Sequence, residues 1–370
     1  MNQQISAECL PTGSSAADRL RISGLPATAI GKRANIEIKL EVETRRSRGV
    51  NADKSLHKQT LMLPQTSFEL PLPASVRSAY CYESPALRVA IKLHLKIDDG
   101  ILFDTKLVTE IVRPLPRPPA PSVDAAKLIE PADKFDFSAN LKAIPPHNRL
   151  IVLALSALAV VLIGVNSLLG VHDQFTANTA VYWYDHSGSD GDSESPMLKS
   201  LIGSGGLGLA VWFAIRRQFR RYMQIQLRPG VKFPRRGQRL LARDLIHGSA
   251  RVPLEKATLR VVAVNDEKGQ YKDGSGTKER TVSFTTPVRG VLIYEQFLPY
   301  LPARTPVETY LEGELDFALV FDHLYPPVKP CNSHGIDLRW EVQLLHPLFV
   351  DQELGCTTDG LVFDDFQPPP

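Results

Sequence analysis

The sequence is poor in cysteine and lacks the short motifs that carry common enzyme chemistry. Its 370 residues include four cysteines, and no two of them are close together, which argues against a disulfide framework and a Cys-x-x-Cys zinc site. It has no Gly-x-Ser-x-Gly, no Gly-Lys-Ser/Thr phosphate loop, no His-Glu-x-x-His and no EF-hand pattern. We therefore expect no enzyme activity, no cofactor and no bound metal.

One loose cluster of histidines and a cysteine leaves two alternatives open. Cys331 and His334 have the spacing of two zinc ligands, but no second close pair completes a site. His346 ends a predicted strand, where a solvated or hydrogen-bonded histidine is commoner than a ligand. A deep pocket joining His323, His334 and Glu341 would instead favour an enzyme with an unrecognised site in the C-terminal domain.

The N-terminus lacks the basic region and apolar stretch of a cleavable signal peptide, so residues 1–20 are predicted to be a flexible N-terminus. Two apolar runs lie in the middle of the chain instead. Residues 150–171 carry no charge and as a helix would extend about 33 Å, enough to cross a bilayer. Residues 200–215 are also uncharged, with Lys199 able to reach the interface. We predict a transmembrane hairpin over 149–216, with spans 150–171 and 199–215 and a loop over 172–198.

The second span contains Gly-x-Gly-x-x-Gly at Gly203, Gly205 and Gly208. A dinucleotide loop would need a strand before these glycines and an acidic residue about 20 positions later, and neither is present. Small residues at helical spacing favour close helix packing instead, and Asn166 in the first span is a candidate for interhelical hydrogen bonding. The predicted helix-packing residues, which also allow a homo-oligomer, are Ser200, Ser204, Gly206, Gly208 and Ala210.

Basic charge is concentrated directly after the second span. Residues 216–243 hold ten Lys or Arg and no Asp or Glu, so the rest of the chain carries +3 − 10 = −7. Phe219 and Tyr222 between the arginines would suit nucleic-acid stacking, but a position next to a span favours anionic lipid, and no nucleic-acid partner is expected. Residues 217–247 are predicted as a basic juxtamembrane segment, with a lipid-facing patch of Arg216, Arg217, Arg220, Arg221, Arg235 and Arg236.

The charges that flank the spans predict the orientation of the hairpin. Lys142 and Arg149 precede the first span and arginines follow the second, whereas the loop between the spans is acidic. Because Lys and Arg are retained on the cytoplasmic side, both termini should be cytoplasmic. This charge asymmetry suits an integral protein of a bacterial inner membrane.

Apolar and polar residues alternate on either side of the hairpin. Residues 35–43 and 87–97 alternate strictly before it, and residues 335–345 alternate after it, with Trp340 among the inward positions and Arg339, Glu341 and Gln343 among the outward ones. Such alternation is typical of strands with one buried and one wet face. Residues 265–280 are predicted as a turn-rich segment and residues 311–324 as a further strand. The predicted fold is mainly β, with arrestin-like or immunoglobulin-like β-sandwiches over 21–113 and 248–364 separated by the hairpin.

The connecting segments are rich in proline. Residues 114–148 are predicted to be a linker whose prolines favour an extended, semi-rigid spacer, and the alternative is a ligand for a proline-binding module. Residues 365–370 are predicted to be a disordered tail.

Residues 67–97 resemble part of the arrestin-like β-sandwich superfamily. An F-x-L-x-L-P strand, a short loop with a serine and a long alternating strand follow each other, and the likeness depends on Phe68, Leu70, Leu72, Pro73 and Ser78. The resemblance implies scaffolding and the binding of cargo or a receptor, without a catalytic centre. Residues 335–351 resemble the aromatic-centred strand of the same superfamily more loosely.

These observations favour a membrane-anchored, non-enzymatic interaction or scaffold protein that presents two cytoplasmic β-sandwich domains near the bilayer. Its expected partners are anionic lipid and a cytoplasmic protein of unknown identity. The alternatives are an accessory subunit of an oligomeric membrane transporter or channel, with polar faces meeting around Asn166, and the enzyme considered above.

Overall fold

The chain folds into a mainly β protein with two long apolar helices, which confirms those two predictions. The computed structural model describes residues 5–10, 19–98, 104–115, 117–123, 125–128, 137–143, 146–176, 196–220, 223–346, 352–356, 361 and 363–366. Its strands are β1 Ser6–Leu10, β2 Arg19–Ser23, β3 Arg33–Thr44, β4 Gly49–Val50, β5 Ala52–Met62, β6 Phe68–Pro71, β7 Tyr82–Glu83, β8 Leu87–Asp98, β9 Asp104–Ile111, β10 Met223–Leu227, β11 Leu240–Leu241, β12 Ile246–Ala250, β13 Leu254–Asp273, β14 Arg280–Leu301, β15 Glu314–Leu315, β16 Val328–Cys331, β17 His334–Leu345 and β18 Gln352–Cys356. Its helices are α1 Ala74–Arg77, α2 Ala125–Leu128, α3 Phe137–Ala143, α4 Pro146–Thr176, α5 Pro196–Arg220, α6 Ala242–Leu245 and α7 Ala318–His323.

Residues 5–111, the N-terminal domain, form one continuous curled sheet. The strand order is β5-β3-β8-β9-β1-β2-β6, with β7 added on β8. β3 and β8 pair antiparallel, with Ile36 opposite Leu95 and Val42 opposite Val89. All four of these side chains are buried, so the alternation seen in the sequence gives the two strands a common buried face.

Residues 223–366, the C-terminal domain, form a second sheet and two short ribbons. The sheet has the order β14-β13-β17-β16, with β18 added on β17 and β4 on β13, while β10 pairs with β12 and β11 with β15. Trp340 is fully buried in β17, with the rings of Phe233 and Phe317 edge-on at 5.5 and 5.8 Å. These topologies do not confirm two β-sandwiches, which stay a prediction.

A long antiparallel hairpin of β13 and β14 runs through both domains. The two strands have 20 and 22 residues, so the hairpin extends roughly 60 Å at about 3.3 Å per residue. Near its tip, Tyr271 pairs with Gly49 of β4, and the guanidinium carbon of Arg46 lies 3.9 Å from the ring centroid of Phe284. The tip of the hairpin is therefore attached to the N-terminal domain.

The two domains also share a core. Three buried side chains from the C-terminal part of the chain, Val328, Ile336 and Phe363, belong to the apolar core of the N-terminal domain. The buried Tyr80 hydroxyl donates a hydrogen bond of 2.7 Å to the carbonyl oxygen of Pro326. The N-terminal domain is thus completed by residues that follow the membrane helices in sequence.

The proline-rich linker is docked along the C-terminal domain in its described part. The Ala120 amide donates to the Asp322 carbonyl at 2.9 Å, and the Arg289 guanidinium donates to the Ala120 carbonyl. α2 then lies against β14 at Gly290, where a Cβ atom would come within 2.6 Å of Leu128 Cδ1. Residues 117–123 and 125–128 of the predicted extended, semi-rigid spacer therefore contact the C-terminal domain, which proline content alone does not predict.

Several boundaries predicted from the sequence are wrong. Residues 6–10 of the predicted flexible N-terminus form β1, which pairs with β2 and β9. The segment 217–247 is integrated into the C-terminal domain as β10, β11 and α6, with Phe233 in the core. The predicted tail begins too early, because Phe366 is buried in the same core.

Two sequence segments also take a different secondary structure from the one predicted. Residues 265–273, predicted as part of a turn, continue β13, because the partner strand β14 extends the ladder as far as Asp273. Residues 311–324 were predicted as a strand but contain α7, whose Val320 and Phe321 enter the core.

We predict that Gly290→Ala loosens the docked linker. The new methyl group would clash with Leu128 and Ala125, and such overpacking costs about 1–3 kcal/mol. Limited trypsin digestion of the detergent-solubilised protein should then cut faster after Lys127 than in the wild type. Gly205→Ala is the matched control, since nothing lies within 4 Å of its Cβ position. Equal cleavage in both variants would contradict the docked position of α2.

Candidate functional site

The two long helices carry an apolar surface that no described part of the domains covers. The candidate membrane spans are Pro146–His172 and Met197–Arg216, and only 17% and 11% of the residues in an 18-residue apolar stretch of each are buried. A core helix of a soluble protein would be mostly buried, whereas Leu150, Val160 and Leu168 are about 70% exposed. Both helices are long and apolar enough to cross a membrane, in agreement with the predicted hairpin. Most of the predicted loop, residues 177–195, lies outside the described residues.

α4 and α5 are held together by a buried polar cluster near their connected ends. The side-chain amide of Asn166 donates to the Ser200 carbonyl oxygen at 3.1 Å and to Ser204 Oγ at 3.0 Å. Ser200 Oγ donates back to the Asn166 carbonyl oxygen at 2.6 Å, and the hydroxyls of Ser167 and Ser204 lie 3.1 Å apart. This arrangement confirms the predicted interhelical role of Asn166. In hydrocarbon each such bond stabilises a helix pair by about 0.6 kcal/mol, with larger values up to about 1.7.

The predicted helix-packing residues divide between two faces of α5. Ser200 and Ser204 are 1% and 7% exposed, and Gly208 lies next to Ile163 of α4. Gly206 and Ala210 are exposed, and nothing lies within 4 Å of a Cβ position at Gly206. Three of the five predicted positions thus lie next to α4, and the other two are on an exposed side of α5.

On α4 the buried residues of the packing face recur at a regular interval, which the sequence alone could have revealed. Val152, Ala159 and Asn166 are each at most 7% exposed and occur at seven-residue intervals. Such a heptad repeat is typical of helices that pack at a shallow crossing angle. Next to this seam, a groove of about 490 Å³ is lined by apolar side chains, including Leu155, Leu162 and Val211, on the half of the hairpin nearer the domains.

The predicted lipid-facing arginines lie in three different settings. Arg216 is half-buried near the end of α5, Arg217 and Arg220 occupy its last residues, and Arg221 lies outside the described residues. Arg235 is exposed. The Arg236 guanidinium is 2.6 Å from Asp322 and lies over the ring of Phe321, so its charge is engaged by the C-terminal domain. The lipid-facing role of this set stays a prediction.

One face of β13 and β17 carries a buried network of charged and polar groups. Arg339 contacts Asp266 at 2.8 Å and also pairs with Glu341, and both carboxylates are nearly inaccessible. Arg260 donates to Gln343 and to the Leu128 carbonyl oxygen at 2.7 Å. The sequence predicted an outward, wet position for Arg339, Glu341 and Gln343, which is wrong for Glu341 and Gln343 because the linker covers this face.

The polar residues considered for catalysis or metal binding do not meet. Cys331 Sγ and His334 Nδ1 are 3.6 Å apart, but His334 Nε2 is 3.0 Å from the Val50 carbonyl oxygen of β4. His323 Nδ1 lies 2.6 Å from the Pro121 carbonyl oxygen, and Glu341 belongs to the buried network. Over the described ranges, no group of three or more His, Cys, Asp or Glu is arranged to hold a metal ion.

A second charged cluster lies where the domains meet. Asp337 accepts hydrogen bonds from Lys268 at 2.6 Å and Lys329 at 2.9 Å. Burial alone would raise the pKa of Asp337, but the two ammonium groups outweigh it and hold the pKa below its usual value. Tyr82 donates to the buried Glu267 at 2.5 Å, and burial together with this bond raises the pKa of the Tyr82 phenol. The junction between the domains therefore combines a shared apolar core with hydrogen-bonded charged side chains.

The segment that resembles arrestin-like proteins forms β6 and the corner that follows it. Leu72 is buried beside β6, and α1 occupies the corner after Pro73. Comparison with models of known protein families and with curated proteins found no match for this chain. The arrestin-like assignment stays a prediction.

We predict that Ser204→Leu destabilises the helical hairpin, whereas Ala210→Leu leaves its stability nearly unchanged. Leucine at the buried position 204 would break the contact with Asn166 and push the helices apart, costing about 1–3 kcal/mol. Leucine at the outward position 210 should change stability by less than about 0.5 kcal/mol. Unfolding by sodium dodecyl sulfate in mixed micelles measures both. An equal loss in the two variants would contradict the assigned packing face.

We predict that Asp337 makes the junction sensitive to acid. Because its pKa is lower when folded, its contribution is fully present above the unfolded value near 3.8 and disappears as the pH falls through the folded pKa. The free-energy difference between wild type and Asp337→Asn should therefore be large at pH 7 and shrink below about pH 4. Asp273→Asn removes a more exposed pair with Arg280 and should have little effect at either pH. A pH-independent difference for Asp337→Asn would refute this role.

Proposed function

We propose that this chain is a membrane-anchored, non-enzymatic interaction protein that holds two β domains as one body on one side of a bilayer. The observation that carries the proposal is the shared core. Val328, Ile336 and Phe363 follow the hairpin in sequence yet complete the domain that precedes it. Two segments that share a core must lie on the same side of a membrane, so the helices between them either both cross it or both stay out.

The apolar surface and the internal polar contacts of α4 and α5 favour a hairpin that crosses the membrane. Their outward faces are apolar over nearly their whole length, and their polar groups Asn166, Ser200 and Ser204 bond to each other inside the pair. The Asn166 amide group and the Ser200 hydroxyl donate within one hairpin, and Asn166 Oδ1 is the one buried side-chain atom of this cluster without a partner among the described residues. Because most of the cluster is satisfied inside the pair, the geometry favours an anchor over a pore. The positive flanks of the hairpin support a cytoplasmic location for both domains, in a membrane such as the bacterial inner membrane.

The N-terminal domain is the part best placed to meet a protein partner. It lies at the end of the β13–β14 hairpin that is opposite the C-terminus of α5, because Met223 pairs with Ala250 near the other end. Its edge strand β5 is 11 residues long, pairs with β3 on one side and is largely exposed, and near its centre the Leu56 carbonyl oxygen accepts a hydrogen bond of 2.8 Å from Ser75 of α1. An edge strand offers backbone groups for the addition of a partner strand.

The neighbouring face of the same sheet supplies charge for selectivity. Lys39 and Asp53 are 2.8 Å apart, and Lys92 and Glu41 are 2.6 Å apart, in a groove of about 510 Å³. Exposed pairs of this kind contribute little to stability but discriminate between partners. In this proposal each of the two domains is a β-sandwich of arrestin-like type, and together they serve as a scaffold that binds a partner protein.

We predict that a protein partner contacts the β5 edge in cells. Benzoylphenylalanine at Lys54 or Met62, both exposed on β5, should give a discrete crosslinked adduct upon illumination. The same group at Val108, exposed on β9 within the sheet, should not. An adduct at Val108 alone, or none at any position, would contradict a partner at this edge.

A further inference from the structure

The C-terminal domain exposes two aromatic side chains that its own fold leaves uncovered. Phe297 and Tyr300 in β14 are 57% and 52% exposed. Within the described ranges, no other phenylalanine, tyrosine or tryptophan outside the membrane helices is as exposed. Burying an aromatic ring is favourable, and a ring exposed to water does not gain this free energy. Two exposed rings close in sequence therefore indicate a surface that contacts another molecule.

Backbone pairing locates these aromatic residues close to the point where α5 leaves the bilayer. α5 ends at Arg220, and Met223 follows after two residues and pairs with Ala250 of β12. The carbonyl oxygen of Ala250 accepts a hydrogen bond from the Arg304 amide, three residues after the end of β14. Adjacent strands are about 4.8 Å apart, so the end of β14 lies only a few strand widths from the exit of α5.

Basic residues surround the two aromatic residues. Arg251, Lys256 and Arg304 are exposed, and none of them forms an ion pair with another described residue of the chain. Two of them, Lys256 in β13 and Arg304 after β14, have positive φ angles of 58° and 60°. Three acidic residues, Glu255, Glu295 and Glu312, are also exposed near this part of β14, so the three basic side chains would act through their positions and not through a net charge.

Aromatic and basic side chains together are typical of a membrane–water interface. Tyrosine and phenylalanine insert their rings at the level of the headgroups, while Lys and Arg contact lipid phosphates. We propose that Phe297, Tyr300, Arg251, Lys256 and Arg304 form a basal patch that rests on the anionic surface of the same bilayer that the hairpin crosses. This inference rests on the proposed membrane anchor and adds a second contact that would fix the tilt of the domains.

Site-specific photocrosslinking to lipid tests the basal patch. The full-length protein would carry benzoylphenylalanine at Phe297 and be reconstituted into vesicles that contain alkyne-tagged phosphatidylglycerol. Leu155→benzoylphenylalanine in α4 is the positive control, because this position is 57% exposed in a predicted span. Met62→benzoylphenylalanine in the N-terminal domain is the control for an exposed position far from the bilayer.

The expected result is a several-fold greater lipid adduct at Phe297 than at Met62, approaching the yield at Leu155. A Phe297 yield equal to that of Met62, with strong labelling at Leu155, would overturn the basal patch while leaving the anchor intact. No labelling at Leu155 would instead overturn the anchor itself. Adding Lys256→Glu and Arg304→Glu should reduce the Phe297 adduct several-fold, and an unchanged yield would refute the role of the basic residues.

Discussion

The structure depends on a core that two distant parts of the chain build together. Tyr80 is fully buried and bonds to Pro326, and the side chains of Val328, Ile336 and Phe363 fill the N-terminal domain from the far side of the hairpin. Burying each of these apolar side chains contributes about 1.5–3 kcal/mol. The core of the first domain therefore includes side chains from residues 328–363, and the two domains are linked at residues 363–366, where Phe363 enters one core and Phe366 the other.

This shared core gives the hairpin a defined geometry. Because α4 starts and α5 ends at the same body, their domain-side ends are held near each other, and the cluster around Asn166 closes the pair towards the opposite ends. In its described part, the linker contacts the C-terminal domain at Ala120 and Leu128. After α5, β10 pairs with β12 of the same domain.

The sequence predicts those elements whose signal is local. The alternation of β3, β8 and β17 and the apolar length of α4 identify these elements directly, because a buried strand face and a membrane span each require a fixed pattern. The local sequence pattern does not predict an element whose structure or burial depends on a segment distant in sequence. β1 pairs with β9 and the distal part of β13 pairs with β4, both far away in sequence. Gln343 is buried where its side-chain amide donates to the Leu128 carbonyl oxygen of the predicted linker.

The candidate site shows the same division. Of the small residues predicted at four-residue spacing, Ser200, Ser204 and Gly208 lie next to α4, whereas Gly206 and Ala210 are exposed. Spacing alone does not distinguish these two faces of α5. Nothing in the local sequence marks Phe297 and Tyr300 as different from other strand residues. Their exposure follows from the tertiary fold, as does the engagement of Arg236 by Asp322.

The most direct test is to compare the sidedness of the two domains in one membrane. Single-cysteine variants would retain Cys331 alone, or carry Met62→Cys or Ser187→Cys in a cysteine-free background, and be treated with a membrane-impermeant thiol reagent. Cys331 and position 62 are exposed in the C-terminal and N-terminal domains, so both should be labelled only after lysis, whereas position 187 between the helices should be labelled in intact cells. Labelling of positions 62 and 331 from opposite sides would contradict the shared core and the hairpin together.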